Sequence, residues 1–142
     1  MTVRECLERP GKIRQAISIR LMRIEMLRKY SVRLSSGLNQ VRVKSSPDPT
    51  RMQALLAEAA DEEKEVTRLE AELSQASSEA AILISRLPDM EMIRLLELRY
   101  LECQGWPETA ISLNRSLNGA YKLHRRALDL LQRVLASCGE RK

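Results

Sequence analysis

Apolar residues recur along this chain with two different rhythms. Leu55, Ala59, Glu62, Val66, Leu69, Leu73, Ala76, Ala80, Leu83 and Leu87 step by four and three in strict alternation, and only Glu62 interrupts the apolar seam. Such a 3.5-residue repeat holds one stripe against a partner over many turns, so it predicts a coiled-coil helix over 50–87 with Thr50 as N-cap. Upstream, Ile13, Ile17, Leu21, Ile24, Leu27 and Leu34 predict an amphipathic helix over 12–34. Pro10 and Gly11 predict a break before it, with a short helix over 2–9. Ser35, Ser36 and Gly37, then Ser45, Ser46, Pro47, Asp48 and Pro49, predict a linker near 35–49. A long apolar seam must be covered, so either the first helix folds back on it or a second chain does. Leu56, Ile82 and Ile84 lie off the seam and offer outer positions for a homodimer.

A second unit starts where Pro88 ends the long helix, because the residue before a proline avoids helical geometry. Asp89 can cap a helix over 90–102 carrying Ile93, Leu96 or Leu98, Tyr100 and Leu101. After a Gln104–Gly105 break, Trp106, Pro107 and Glu108 open a short helix through Leu113, with proline tolerated in its first turn. Ser116 can cap a third helix past Leu131 whose inner face is Ala120, Leu123, Ala127, Leu128 and Leu131. Helix, short helix, tight turn and longer helix is the spacing of a helix-turn-helix. The expected fold is therefore all-α: a long antiparallel helical hairpin, or coiled-coil stalk, over 1–87, then a three-helix helix-turn-helix unit over 88–142.

Composition supports helices, since aromatics are 3% with no Phe while Leu, Ala, Glu and Arg dominate. Charge is unevenly spread. Residues 1–51 hold twelve Lys/Arg against four Asp/Glu, 52–91 three against ten, and 92–142 nine against five. Either the two basic ends meet nucleic acid, or the first basic stretch and the acidic one face each other across a helix pair. The acidic cluster Asp61, Glu62, Glu63 and Glu65 fans around a helix axis and reads as a solvated face rather than paired catalytic carboxylates. Cys6, Cys103 and Cys138 have no C-x-x-C spacing, and the one histidine cannot complete a zinc site. No apolar run approaches the roughly 20 residues of a membrane span. The expectation is a cytoplasmic protein that is not an enzyme, with no cofactor, no metal and no catalytic residues: no phosphate loop or nucleophile with its base stands out.

Leu87-Pro88-Asp89, Leu98-Arg99-Tyr100-Leu101, Gly105-Trp106, Ala110, Ser116 and Tyr121-Lys122-Leu123-His124-Arg125-Arg126-Ala127-Leu128 carry a resemblance. Over about 83–131 the chain resembles phage and prophage late-gene transcriptional activators of the RinA and ArpU kind, whose C-terminus is similar to region 4 of bacterial sigma factors. The likeness extends loosely to the basic helix, linker and acidic heptad helix before it. It implies a DNA-binding helix-turn-helix on a stalk, acting with host RNA polymerase at phage promoters. The chain departs from the family at Thr109, usually Ile, at Leu117 and Asn118, usually Arg or acidic, and at Ala120, usually β-branched. Gly119 also stands in the first turns of the reading helix, where glycine costs roughly 1 kcal/mol relative to alanine.

On the third helix Asn118, Tyr121, Lys122 and Arg125 share the face away from Ala120, Leu123 and Ala127. Asparagine can bond adenine bidentately and lysine or arginine can bond guanine, so Asn118 and Lys122 are candidate base readers. Arg115, Arg125 and Arg126 are candidate phosphate contacts, and Ser116 the cap that sets the helix start. Arg99 is expected to pair with Glu102 or another carboxylate, Trp106 and Tyr100 to lie in the core, and His124 to sit at the surface or cap a helix. Three partner classes follow. Double-stranded DNA fits a transcription regulator, bacterial RNA polymerase fits a sigma-like adaptor, and packaged DNA fits a structural protein like terminase small subunits.

Overall fold

The computed structural model describes residues 2–36 and 49–140. Among them every regular element is helical: α1 (Val3–Ser36), α2 (Pro49–Ile84), α3 (Met90–Leu96), α4 (Trp106–Ser112) and α5 (Leu117–Glu140). A π-helical stretch, Glu97–Leu101, prolongs α3. The all-α expectation holds. Residues 37–48, most of the expected linker, lie outside the described residues; Ser35 and Ser36 belong to α1, and Pro49 rather than a capping Thr50 opens α2.

Two boundaries differ from the sequence pattern. α1 runs through Pro10 without the expected break. Proline's fixed φ suits a helix and its loss is one N–H that would have met the Cys6 carbonyl; the ring is almost wholly buried, which offsets that loss. The start of α1 is held by a reciprocal cap, with Glu5 N–H donating to Thr2 Oγ1 at 3.1 Å and Thr2 N–H donating to Glu5 Oε2 at 3.2 Å. α2 stops at Ile84, three residues before Leu87. Its exit tightens into i→i−3 bonds, Arg86 N–H to Leu83 and Leu87 N–H to Ile84, because Leu87 precedes Pro88.

The described chain divides into two compact units. One is Arg14–Ala71. There Ile24, Leu27 and Ser31 of α1 are buried, as are Ala59, Val66 and Leu69 of α2. Leu21, expected inside, is 51% exposed. The inner stripe of α1 instead follows Ile17, Arg20, Ile24, Leu27, Ser31 and Leu34, a strict three-four alternation concealed by its two polar members. Ser31 is satisfied by donating to the Arg28 carbonyl at 2.8 Å. Arg20 meets Glu62, the polar member of the α2 seam, at 2.9 Å. Arg23 reaches Glu58 at 3.5 Å and Glu62 at 3.9 Å, and Arg28 pairs with Glu63. Three arginines of the basic stretch thus meet glutamates of the acidic one in this unit, and Glu62, Glu63 and Glu65 of the acidic cluster are paired with arginines.

The other unit joins Met1–Ile13 to Glu72–Lys142. Its core takes Val3 and Leu7 from α1, Ala80, Leu83 and Ile84 from α2, and then Leu87. Met92, Leu95 and Leu96 from α3 and Leu123, Ala127 and Leu131 from α5 complete it. Ile84 is therefore core at 1% exposure, not an outer position, whereas Ile82 at 61% is outer as expected. The wider π turn after α3 brings Leu98 inside as well, since Glu102 N–H donates to the Glu97 carbonyl and Gln104 N–H to that of Leu98. Arg9 ties α1 to α2 through Glu72 at 3.6 Å and Glu79 at 3.3 Å.

Ile84→Ala should lower the unfolding free energy by about 2–5 kcal/mol, because it leaves a cavity in a filled core, while Ile82→Ala should change it by less than about 0.5 kcal/mol. Urea denaturation of both variants checks the pair; equal effects would show that the two isoleucines are misplaced.

Candidate nucleic-acid interface

The surface of interest is the first half of α5 and the turn before it. α4 ends with Leu113 as its cap and Asn114 in the left-handed region at φ 56°. Asn114 N–H donates to Ile111 and Arg115 N–H to Ala110, the paired closing bonds of a Schellman turn. Asparagine tolerates that backbone better than other residues with a β-carbon. Within α4, the buried Thr109 satisfies its hydroxyl by donating to the Gly105 carbonyl at 2.8 Å, so a polar side chain is accommodated in the interior.

Ser116 caps α5 as expected: its Oγ accepts from Gly119 N–H at 3.0 Å and its carbonyl accepts from Ala120 N–H at 2.9 Å. A β-carbon on residue 119 would stand 3.1 Å from Ser116 Oγ. The glycine leaves room for the cap. Ala120, Leu123, Ala127 and Leu131 are buried and Leu128 half-buried. Asn118, Tyr121, Lys122, Arg125 and Arg126 are all exposed on the remaining surface. Lys122 follows Asn118 by four, and Arg125 and Arg126 follow Lys122 by three and four, so an amide and three cations line one exposed strip.

Arg115 is placed differently from a free phosphate contact. Its Nε and Nη2 donate to the two carboxylate oxygens of Glu91 at 2.6 and 2.7 Å, a bidentate pair joining the turn to the first turn of α3. Those bonds hold the Glu91 carboxyl below the usual range. Asp89 caps that turn by accepting from Glu91 N–H at 2.9 Å. Arg115 therefore orients α5 against α3.

An aromatic cluster packs against α5 at Tyr121 and His124. Trp106 meets Tyr121 and His124 edge-on, with ring centroids at 4.7 and 4.9 Å. The Arg99 guanidinium lies 4.3 Å from the Trp106 ring centroid, and Arg99 Nη1 donates to the Gln104 carbonyl rather than to Glu102. Glu102 is taken by Arg94 at 3.6 Å. Tyr100 and Trp106 are half-buried against the core. His124 is half-buried too, sharing a 2.7 Å hydrogen bond with Tyr100 through Nε2. Burial, with the nearby positive charges of Arg4 and Arg99, lowers its pKa to about 4. Burial also raises the Tyr100 hydroxyl. Both rings are neutral at pH 7. Arg4, which no spacing rule links to α5, lines one cleft with Tyr121, His124 and Arg125, and Asp129 supplies the acid there.

Searches against protein-family models, curated proteins and solved structures return no match for this chain.

Because His124 is neutral in the fold and titrates near 6.5 when unfolded, the unfolded chain binds the extra proton between those values. Stability from this group is complete above pH 6.5 and declines as pH falls through about 4. Chemical denaturation between pH 7 and 4 should show the decline, and His124→Gln should flatten it. An NMR pKa for His124 near 6.5 in the folded protein would contradict this placement.

Proposed function

We propose that the chain is a sequence-specific DNA-binding transcription regulator, in which α1 and α2 form an antiparallel hairpin stalk and α4, its turn and α5 a helix-turn-helix. The observation that carries this reading is the exposed strip of Asn118, Lys122, Arg125 and Arg126 on a helix whose start is capped by Ser116 and braced by the Arg115–Glu91 pair. Those α5 groups combine base-edge donors with cations for phosphate, the two kinds of contact that major-groove readers need. Part of the N-terminal positive charge is already engaged, since Arg9, Arg20, Arg23 and Arg28 pair with carboxylates of α2. The resemblance to phage late-gene activators narrows the proposal to phage or prophage genes, with bacterial RNA polymerase as a cooperating partner.

A polymerase adaptor is the second reading, favoured by apolar surface beside the same turn: Ile111 is 79% exposed and Leu117 44%. Two exposed aliphatic residues there suit a protein surface better than phosphates.

Site selection followed by titration at several salt concentrations separates the two. A reader loses affinity with salt at a slope of about −0.9 per phosphate neutralised. Arg126→Ala should weaken all duplexes alike and flatten that slope by about 1. Asn118→Ala and Lys122→Ala should cost about 1–3 kcal/mol on the selected site and little on random DNA. If all three variants bind both duplexes as the parent does, with one salt slope, α5 is not the reader and the adaptor reading takes its place.

A further inference from the structure

Within the Arg14–Ala71 unit, the face of α1 turned away from its buried stripe carries a second apolar line. Ile19, Met22, Met26 and Tyr30 are 57, 60, 41 and 49% exposed. Their spacing of three, four and four puts them on one side of the helix. Arg33 lies over the Tyr30 ring at 5.4 Å and closes the end of the line. Glu25 and Lys29 border it, sharing one shallow surface depression with Met22, Met26, Tyr30 and Arg33. Neither Glu25 nor Lys29 has an ion-pair partner among the described residues, although Arg20, Arg23 and Arg28 of the same helix all reach glutamates of α2.

We propose that this face binds a second copy of the same chain, α1 against α1 and antiparallel, with the two-fold axis at Met26. The pattern is its own complement under that operation. Met22 and Tyr30 stand four residues either side of Met26, so each Met22 packs on the other copy's Tyr30. Residues bordering one side of an antiparallel helix pair meet their counterparts on the same side of the other copy, so Glu25 of each copy meets Lys29 of the other, twice. A parallel pair would leave these two charges without opposite partners across the interface. DNA would be repelled by Glu25, and a membrane would offer its carboxylate nothing. Four apolar side chains per copy make a small interface, so the dimer is reversible and concentration-dependent. The proposal is independent of what α5 binds.

Sedimentation equilibrium of the full chain over a wide concentration range tests it. The parent should rise from 16.2 kDa toward twice that mass. Glu25→Lys and Lys29→Glu should each raise the dissociation constant by about tenfold, since one reversal places like charges together at both symmetric contacts. The double reversal Glu25→Lys with Lys29→Glu should restore the parent value, and Met26→Glu should leave only monomer by setting two carboxylates together on the axis. All three positions border or form an exposed line, so circular dichroism at low concentration should show parent helicity and melting in each of the four variants. A parent that stays monomeric at every concentration overturns the proposal. So does a dimer that single reversals leave unchanged or that the double reversal fails to restore, since that dimer would use another face.

Discussion

The Arg14–Ala71 unit depends on where one ion pair falls. The inner stripe of α1 and the seam of α2 each carry one charged residue, and these two, Arg20 and Glu62, meet at 2.9 Å. Their side chains are 38 and 18% exposed, so the pair itself contributes little, about 0–1 kcal/mol. Its weight lies in the alternatives. Sliding one helix past the other by a heptad would set each charge against aliphatic neighbours such as Ile24 or Val66, and an unpaired charge taken from water is far more costly than the pair is favourable. A polar pair in an otherwise apolar seam thus selects one register. With that register, Arg23 and Arg28 come within reach of Glu58, Glu62 and Glu63.

The consequence reaches the functional reading. Cations engaged by carboxylates in the same fold are poor ligands for phosphate, whereas Lys122, Arg125 and Arg126 stand exposed on α5. Part of the positive excess of the N-terminal stretch, at Arg9, Arg20, Arg23 and Arg28, is therefore engaged within the fold. Net charge along a chain becomes a statement about partners only after internal pairing is subtracted.

α5 is held from several directions, and each hold uses a different interaction. Ser116 and Gly119 define its first turn, Arg115 and Glu91 tie the preceding turn to α3, and Trp106 packs under Tyr121 and His124. The half-buried His124 is kept neutral by burial and by Arg4 and Arg99, so the cluster that packs against α5 does not change charge near neutral pH. A rigid support for an exposed polar strip is what a reading surface requires, because side-chain contacts to base edges need fixed positions.

The local signals in the sequence were sufficient for much of this: the α2 seam, the Asp89 and Ser116 caps, the inner face of α5 and the exposed strip all follow from periodicity and capping chemistry. These depend on neighbours within a turn or two, which spacing alone can express. What spacing could not express was decided by contacts between distant segments. Spacing puts Leu21 in the α1 stripe because the true members Arg20 and Ser31 are polar, and only Glu62 and the Arg28 carbonyl make them acceptable inside. Pro10 predicts a break that does not occur because the burial that offsets its lost bond is tertiary. Ile84 falls outside the seam of a two-helix stalk, but α3 and α5 cover that side of α2 and make it core. The half-burial of His124 and the seat of Arg99 on Trp106 escape spacing arguments because aromatic packing has no sequence period. Periodicity reports which side of a helix is apolar; the number of neighbours around that helix decides how many sides are buried.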